Sequence, residues 1–226
     1  DFGFFNNKLT GAMNYYYNQT EELLITKALP PSAGLNNPIL NVGKIRNSGV
    51  EVEINWADSK GGFDYNIGMN FSTTKNKVVE LADKGQVLYG EGLKYGTEHF
   101  PTQTRVGKPI GAFYLYKTNG LFQSNEEARQ YVNADGDEYQ PFADAGDIRY
   151  VDVNGDGYID DDDKVYCGSG IPTLEVNLNF SAGYKGFDLS VVLGSAWGHK
   201  IYNGNKYFYE GMNSGSNFLT SSLNAW

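Results

Sequence analysis

The residues whose types and spacing are best suited to chemistry lie in one acidic segment, residues 152–163. The segment follows the pattern of a calcium loop, in which alternate residues of a tight turn supply oxygen ligands and the sixth position is glycine. That glycine is Gly157. The predicted ligands are Asp152, Asn154, Asp156, the backbone carbonyl of Tyr158, Asp160 and Asp163. We therefore predict a structural calcium ion in this loop.

The flanks of this segment differ from those of a helix–loop–helix calcium site. Residues 148–151 have the composition of an extended segment rather than of an entering helix. The last ligand position carries Asp163, whose side chain is shorter than the usual Glu and reaches the ion less readily with both oxygens. The alternative interpretation of the segment is a solvated acidic turn without a bound ion.

Other kinds of site find little support in the sequence. Neither histidine stands in a metal-ligand or triad spacing, and Cys167 is the only cysteine, so the sequence offers no disulfide framework. No pair of acid–base residues or activated nucleophile emerges, and we expect no enzymatic activity. The 18 Lys and Arg residues against 27 Asp and Glu residues leave a net charge of −9, which argues against a nucleic-acid partner.

The elements that would position the loop are predicted to be β-strands, because apolar residues recur with a period of two. One alternating pair covers residues 50–56 and 63–71, a second covers 174–181 and 187–194, and a third opens the chain at residues 2–17. Each pair has the form of a hairpin. The polar residues expected on one common face include Glu51, Glu53, Asp64, Asn66, Glu175 and Asn177.

Strand and loop lengths favour a membrane barrel over a soluble sheet. The alternating runs are about 9–11 residues long, which is the length that crosses a bilayer at a tilt. Short turns follow Phe5, Trp56 and Tyr184, whereas long loops are expected at residues 19–47, at 73–171 and from 198 onward. This asymmetry is typical of outer-membrane barrels. No apolar run is long enough for a transmembrane helix.

The predicted fold is therefore all-β, a partial antiparallel transmembrane β-barrel with long extracellular loops. Residues 1–226 would form part of one barrel domain, and residues 73–171 would form an extracellular loop region that carries the calcium-type loop at 152–163. A short helix is predicted near residues 124–132, with a Ser or Asn cap. The alternative fold is a soluble, calcium-stabilised β-sandwich that binds carbohydrate.

Four segments together resemble SusC/RagA-type TonB-linked (TonB-dependent) outer-membrane proteins, and the resemblance covers nearly the whole chain. In sequence order they are NVGKIRNSGVEVEI at 41–54, RVGKPIGAFY at 105–114 with NGLFQ at 119–123, AGDIRY at 145–150, and YKGFDLS at 184–190. Each segment alone is weak, but their order and combination are specific to the family.

The resemblance implies more than the residues themselves predict. Members of the family form barrels of about 22 strands with an N-terminal plug. They pair with a SusD-like surface lipoprotein, receive energy through TonB, and import oligosaccharides or peptides across the outer membrane of Gram-negative bacteria. The resemblance therefore implies a transporter of the TonB-dependent type. We expect this chain to be a C-terminal barrel portion without the plug and the last strands.

Overall fold

The computed structural model describes residues 1–26, 36, 38–90, 100–210 and 217–224. The chain divides into two compact units. The first unit comprises residues 1–112 and 168–200, and the second comprises residues 113–167 and 201–226.

The first unit is built on an antiparallel sheet in the order β1-β2-β3-β4-β12-β13, with β5 paired to β3. The all-β architecture predicted from the alternation is confirmed. The sheet ends at β1 on one side and at β13 on the other, so the described strands form an open sheet. Its strands are β1 Phe2–Phe4, β2 Leu9–Thr26, β3 Ile39–Lys60, β4 Phe63–Thr73, β5 Lys75–Glu80, β12 Leu174–Tyr184 and β13 Phe187–Trp197. Two short strands, β6 Leu88–Tyr89 and β7 Thr102–Thr104, pair with each other.

The second unit holds shorter elements around a small core. Its elements are β8 Ala112–Tyr116, β9 Thr118–Leu121, α1 Asn125–Gln130, β10 Ile148–Tyr150, a 3-10 helix Asp161–Asp163, β11 Lys164–Gly168, α2 Gly204–Glu210 and a 3-10 helix Thr220–Asn224. The first residue of β8, Ala112, still belongs to the first unit. Strand β9 pairs with β10, and β8 pairs with β11. The core consists of Phe122, Ala128 and Ala143, with Tyr131 packed against it.

The predicted helix near residues 124–132 is confirmed as α1. Ser124 caps its N-terminus, because the Ser124 side chain accepts a hydrogen bond of 3.1 Å from the Glu127 backbone N–H. The acidic residues Glu126 and Glu127 lie in the first turn, where negative charge is favourable.

The three short turns lie at one end of the sheet, as predicted. Strands β3 and β4 are joined by Gly61 and Gly62 with φ of 62° and 78°, and β12 and β13 by Lys185 and Gly186 with φ of 49° and 85°. Positive φ at both central residues is the signature of a type I′ turn, whose twist suits a tight hairpin. The second short turn follows Lys60 and not Trp56, because β3 continues through the polar run 57–60.

The prediction of a long loop at residues 19–47 is wrong. Strands β2 and β3 run through most of it and pair Leu23 with Gly43 and Ile25 with Leu40. The register shifts between Thr20 and Leu23. The polar residues of this bulge interrupt the alternation of apolar and polar residues, so the sequence pattern did not predict the strand there. Burial stabilises the extension, because Ile25 forms a small core with Val78 and Leu81.

Residues 73–171, predicted as one loop region, contain β5 to β11 and α1. Strand β5 continues along β3 where β4 ends, with Lys75 opposite Ser48. Strand β4 ends and β12 begins at the end of the sheet opposite the short turns, where Thr73 pairs with Leu174.

Candidate functional site

The register of the sheet sorts its side chains onto two faces of opposite character. Glu53 pairs with Asn70, which pairs with Asn177, whereas the neighbouring row joins Ile54, Met69 and Leu178. Because side chains alternate along each strand, the first row belongs to a polar face and the second to an apolar face. The six polar residues predicted to share a face, Glu51, Glu53, Asp64, Asn66, Glu175 and Asn177, all fall on the polar one.

On the polar face, side chains of neighbouring strands form a hydrogen bond with each other. Asn177 Nδ2 donates to Asn70 Oδ1 at 2.9 Å across β12 and β4. Near the short turns lies an open concavity of about 900 Å³, lined by Asp64, Asn66 and Asp188 among others. Such a face suits contact with water and with polar ligands.

The apolar face is exposed in this chain. The side chain of Phe187 is 81% exposed, and those of Met13 and Leu193 are 67% and 57% exposed. The buried cluster described for the first unit consists of Ile25, Val78 and Leu81 and includes none of these exposed residues. A soluble β-sandwich would need a second sheet packed on the apolar face, so this exposure does not favour the sandwich interpretation.

Aromatic residues gather on the apolar face near the short turns. The ring of Phe63 lies 5.8 Å from that of Tyr65 and 6.3 Å from that of Tyr184. Aromatic side chains in such a band are typical of the interface between lipid and water. No helix within the described residues is long and apolar enough to cross a membrane.

The calcium-type loop lies in the second unit, between β10 and β11, and its own backbone orients its side chains. Gly157 has φ of 92°, a conformation that disfavours residues with a Cβ. This turn aims two N–H groups at the first predicted ligand. Asp152 Oδ1 accepts from Gly155 N at 2.6 Å, and Asp152 Oδ2 accepts from Gly157 N at 2.9 Å.

The same pattern continues along the loop at every second residue. Asn154 Oδ1 accepts from Asp156 N at 2.8 Å, and Asp156 Oδ1 accepts from Tyr158 N at 2.9 Å. Asp160 Oδ1 accepts from Asp162 N at 2.8 Å and so caps the short 3-10 helix. These bonds hold the alternate side chains along a tightly turned backbone, as the sequence pattern requires.

Asp163, the last predicted ligand, is fully buried. Its Oδ1 accepts from Val153 N at 2.7 Å and from Asn154 N at 3.3 Å, and its Oδ2 accepts from Asp160 N at 2.8 Å. Three N–H donors offset the cost of burying this carboxylate. Asp163 thereby joins the two ends of the loop directly.

Two residues that the sequence reasoning missed also contact the loop. Tyr139 Oη donates to Asp152 Oδ2 at 3.3 Å, and Asn133 Nδ2 donates to the Gly157 carbonyl at 3.1 Å. Both lie in the hairpin turn around residues 132–139, where apolar and polar residues do not alternate. Its Asn-Ala-Asp-Gly-Asp sequence at 133–137 is a turn signal that could have marked it.

Hydrogen bonding also sets the ionisation of the loop. Burial opposes the charge on Asp152, but the N–H groups of Gly157 and Gly155 and the Tyr139 hydroxyl outweigh it, so the pKa of Asp152 lies below its usual value. Burial, followed by the charge of Asp161, raises the pKa of Tyr116. Asp152 is therefore ionised and Tyr116 is neutral at neutral pH.

The donor set suits calcium, because all six predicted ligands offer oxygen atoms. Within the described residues, however, no group of three or more Asp, Glu, His or Cys side chains converges in a metal-binding arrangement. The loop carboxylates instead accept hydrogen bonds from the loop's own N–H groups. The calcium ion and its ligands stay a prediction.

Comparison with known proteins identifies the proteins that this chain resembles. It is 29% identical to TonB-dependent receptor P3 of Formosa agariphila over the whole chain, and 31% identical to TonB-dependent receptor P26 of the same organism over 92% of the chain. It is 24% identical to TonB-dependent receptor SusC of Bacteroides thetaiotaomicron over 99% of the chain. The chain spans about a fifth of the length of these relatives. No family model matches it.

Solved structures give the fold. The RagAB peptide transporter matches 99% of this chain with a TM-score of 0.73 and 20% identity, over 23% of the transporter chain. The RagAB peptide importer in its open-open state matches the same share with a TM-score of 0.70 and 20% identity, over 22% of its chain. These likenesses confirm the predicted fold, a part of an antiparallel β-barrel of the transporter type.

Proposed function

Since this chain belongs to the SusC/RagA type of TonB-dependent receptor, of which it forms one segment, we propose that it builds part of the wall of an outer-membrane nutrient importer. The polar face of its sheet lines the lumen, and the apolar face contacts lipid. The exposed apolar face carries this proposal. In water that surface would be costly, because each exposed Å² of it forgoes about 25 cal/mol of burial free energy.

The imported nutrients are oligosaccharides or peptides, and the intact receptor works with a SusD-like lipoprotein and with TonB. The relative named TonB-dependent receptor SusC supports the dependence on TonB, and the RagAB peptide transporter supports peptides as one class of substrate. On this proposal the receptor moves its substrate without performing chemistry on it.

Labelling of neighbouring residues on β3 tests the proposed orientation. Glu53→Cys and Ile54→Cys lie at the same depth in the wall but on opposite faces. In a receptor with Cys167 and any other cysteine replaced by serine, a water-soluble maleimide should label position 53 and spare position 54. Labelling at 54 and protection at 53 would reverse the assignment of lumen and lipid.

Uptake by living cells tests the transport function. A strain that lacks the receptor should lose uptake of its oligosaccharide or peptide substrate, and a strain that lacks TonB should lose it equally. Undiminished uptake of every oligosaccharide and peptide tried would contradict a role in their import.

We also propose that residues 152–163 bind one calcium ion that stabilises the second unit. Asp152, Asn154, Asp156, Asp160, Asp163 and the Tyr158 carbonyl would hold the ion, which supplies positive charge among crowded carboxylates. The regular hydrogen bonds of the alternate side chains support this proposal. Metal analysis of the receptor after equilibration in millimolar calcium should find an ion that Asp152→Ala removes, and an unchanged metal content in that variant would reject the site.

A further inference from the structure

The apolar face of the first unit's sheet gives way to cations toward the end opposite the short turns. We propose that Arg46, Lys75 and Lys77 form a binding site for the phosphate group of a membrane lipid. This inference rests on the proposed function, because it takes the apolar face to be the one that contacts lipid.

The strand register places all three cations on the apolar side of the sheet. Lys75 pairs with Ser48, and Lys77 pairs with Arg46. Because side chains alternate along a strand, Ser48 and Arg46 continue on β3 the face that carries Ile54. Residues that pair directly across antiparallel strands point to the same side of the sheet, so both lysines share this face.

The position of the cations along β3 corresponds to the edge of a membrane. Ten positions separate Arg46 from Trp56, which stands on the same face near the short turns. That segment extends roughly 33 Å at about 3.3 Å per residue. A strand tilt of about 45° reduces this length to a height of roughly 23 Å. The outward apolar band of a membrane barrel is about 25 Å tall, so Arg46 lies where hydrocarbon gives way to headgroups.

Two exposed tyrosines mark the same boundary. Tyr15 pairs with Val50 and Tyr17 pairs with Ser48, so both lie on the apolar face just before the cations. Tyr15 is 70% exposed and Tyr17 is 52% exposed. Tyrosine, which has an apolar ring and a polar hydroxyl, is typical of the interface between lipid and water. These tyrosines and the aromatic cluster around Phe63 therefore border the apolar band at its two ends.

Arg46 is oriented by its neighbours and retains donors for a ligand. Its Nη2 donates to Gln19 Oε1 at 3.1 Å, and its guanidinium carbon lies 4.9 Å from the centre of the Tyr17 ring. Within the described part of the chain, its Nε has no hydrogen-bond partner. A guanidinium offers five N–H donors in a planar fork that suits phosphate oxygens.

The two lysines bring positive charge that their neighbours do not neutralise. Both are exposed, and among the residues that the structure describes neither forms an ion pair. Two carboxylates on the same strands are already engaged, since Glu80 is bound by Lys44 at 3.0 Å and Glu21 accepts a hydrogen bond within β2. Cations beside an apolar surface attract anionic headgroups.

A phosphorylated lipid fits both parts of this surface. Its acyl chains would lie along the apolar rows of β2 and β3, while its phosphate meets the three cations above them. A free phosphate ion would use the cations alone and gain nothing from the adjoining apolar face. The combination of charge and apolar surface therefore favours a lipid over a soluble anion.

The test is a titration of the whole receptor in detergent with lipid A that carries one phosphate, followed by native mass spectrometry. Lys75→Gln combined with Lys77→Gln should weaken binding roughly 30-fold, at about fivefold for each charge near a headgroup. The control, Lys60→Gln combined with Lys185→Gln, removes the same charge at the short turns. It should bind lipid A as the wild type does.

Two further measurements identify the group that is recognised. Lys75→Arg combined with Lys77→Arg keeps both charges and should retain binding, whereas a loss there would contradict an electrostatic site. Lipid A without its phosphate should bind the wild type as weakly as intact lipid A binds the glutamine variant. Displacement of lipid A by an equal concentration of inorganic phosphate would identify a site for soluble anions and overturn the lipid as its occupant.

The outcomes separate this inference from the proposed function. If a water-soluble maleimide labels Ile54→Cys, the apolar face does not contact lipid and both proposals fail. If Ile54→Cys is protected and the glutamine variant at positions 75 and 77 binds lipid A as well as the wild type does, only the lipid site fails. Equal weakening by the control at positions 60 and 185 would also overturn the site, because binding would then follow net charge alone.

Discussion

At the scale of single residues, Asp163 closes the acidic loop through backbone hydrogen bonds. A buried carboxylate without partners would be very costly, but Asp163 accepts from the N–H groups of Val153, Asn154 and Asp160. These donors lie near both ends of the loop. Closure of the loop therefore does not depend on the ion, and calcium would add to a frame that Asp163 already holds.

This arrangement predicts a metal-independent effect of Asp163→Asn. The amide of Asn keeps one oxygen acceptor, but its NH₂ group faces a backbone N–H that has lost its acceptor. Leaving such a buried donor without a partner lowers the free energy of unfolding by roughly 1–3 kcal/mol. In chelator, hydrogen–deuterium exchange at residues 153–160 should accelerate roughly 5- to 150-fold. The exposed Asp156→Asn variant, which retains its oxygen acceptor for Tyr158 N, serves as the control. Unchanged exchange in Asp163→Asn would show that the loop closes by other means.

At the scale of elements, the two halves of one long strand lie in different environments. Strand β3 has 22 residues and extends roughly 70 Å at about 3.3 Å per residue, far more than the roughly 30 Å of a bilayer core. Its half near the short turns bears the exposed apolar row with Ile54. Its other half contributes Val42 and Ile45 to the small core around Val78. The end of the strand far from the short turns is therefore packed against protein, whereas the row with Ile54 is exposed at Met69.

Two adjacent valines on β13 test the faces of the sheet. Val191 pairs with Phe180 on the apolar face, and Val192 pairs with Asn179 on the polar face. Val191→Arg should destabilise the barrel in lipid by about 2–4 kcal/mol if it lies near the midplane, because it places a charge in hydrocarbon. Val192→Arg should be close to neutral. Urea unfolding in lipid vesicles measures both, and equal effects would contradict the two-faced wall.

At the scale of the whole molecule, the negative charge is concentrated in one segment. Residues 113–167 hold 4 Lys and Arg residues against 13 Asp and Glu residues, and the rest of the chain holds 14 of each. The entire net charge of −9 thus resides in the segment that includes the calcium-type loop. The two units also have separate cores, around Val78 in the first and around Phe122 in the second.

Separate cores predict that removing calcium affects one unit alone. If the proposed calcium ion is bound, chelation of the receptor should accelerate amide exchange at residues 131–163, because the crowded carboxylates would lose their counter-ion. The amides of β3, β4 and β12 should keep their protection, because their ladders hold no predicted ligand. Loss of protection in those strands on chelation would show that the ion stabilises the whole chain.

Local patterns in the sequence determined the strands, the short turns and the calcium-type loop, because each depends on residues close together in the chain. Period-two alternation predicts a strand without knowledge of its partner, as at residues 174–181. The two short turns at Gly61–Gly62 and Lys185–Gly186 are likewise specified locally, because these residues adopt the positive φ that the turns require. The order of four short motifs predicted the family.

Only the tertiary structure decided where the strands end and which residues support the loop. Strands β2 and β3 extend past the bulge because Ile25 meets Val78, a partner 53 positions away in the chain. Tyr139 reaches Asp152, and Asn133 reaches Gly157, through a turn whose position depends on the core around Phe122. Contacts between distant residues leave no periodic trace in the sequence, so they emerge only once the chain has packed.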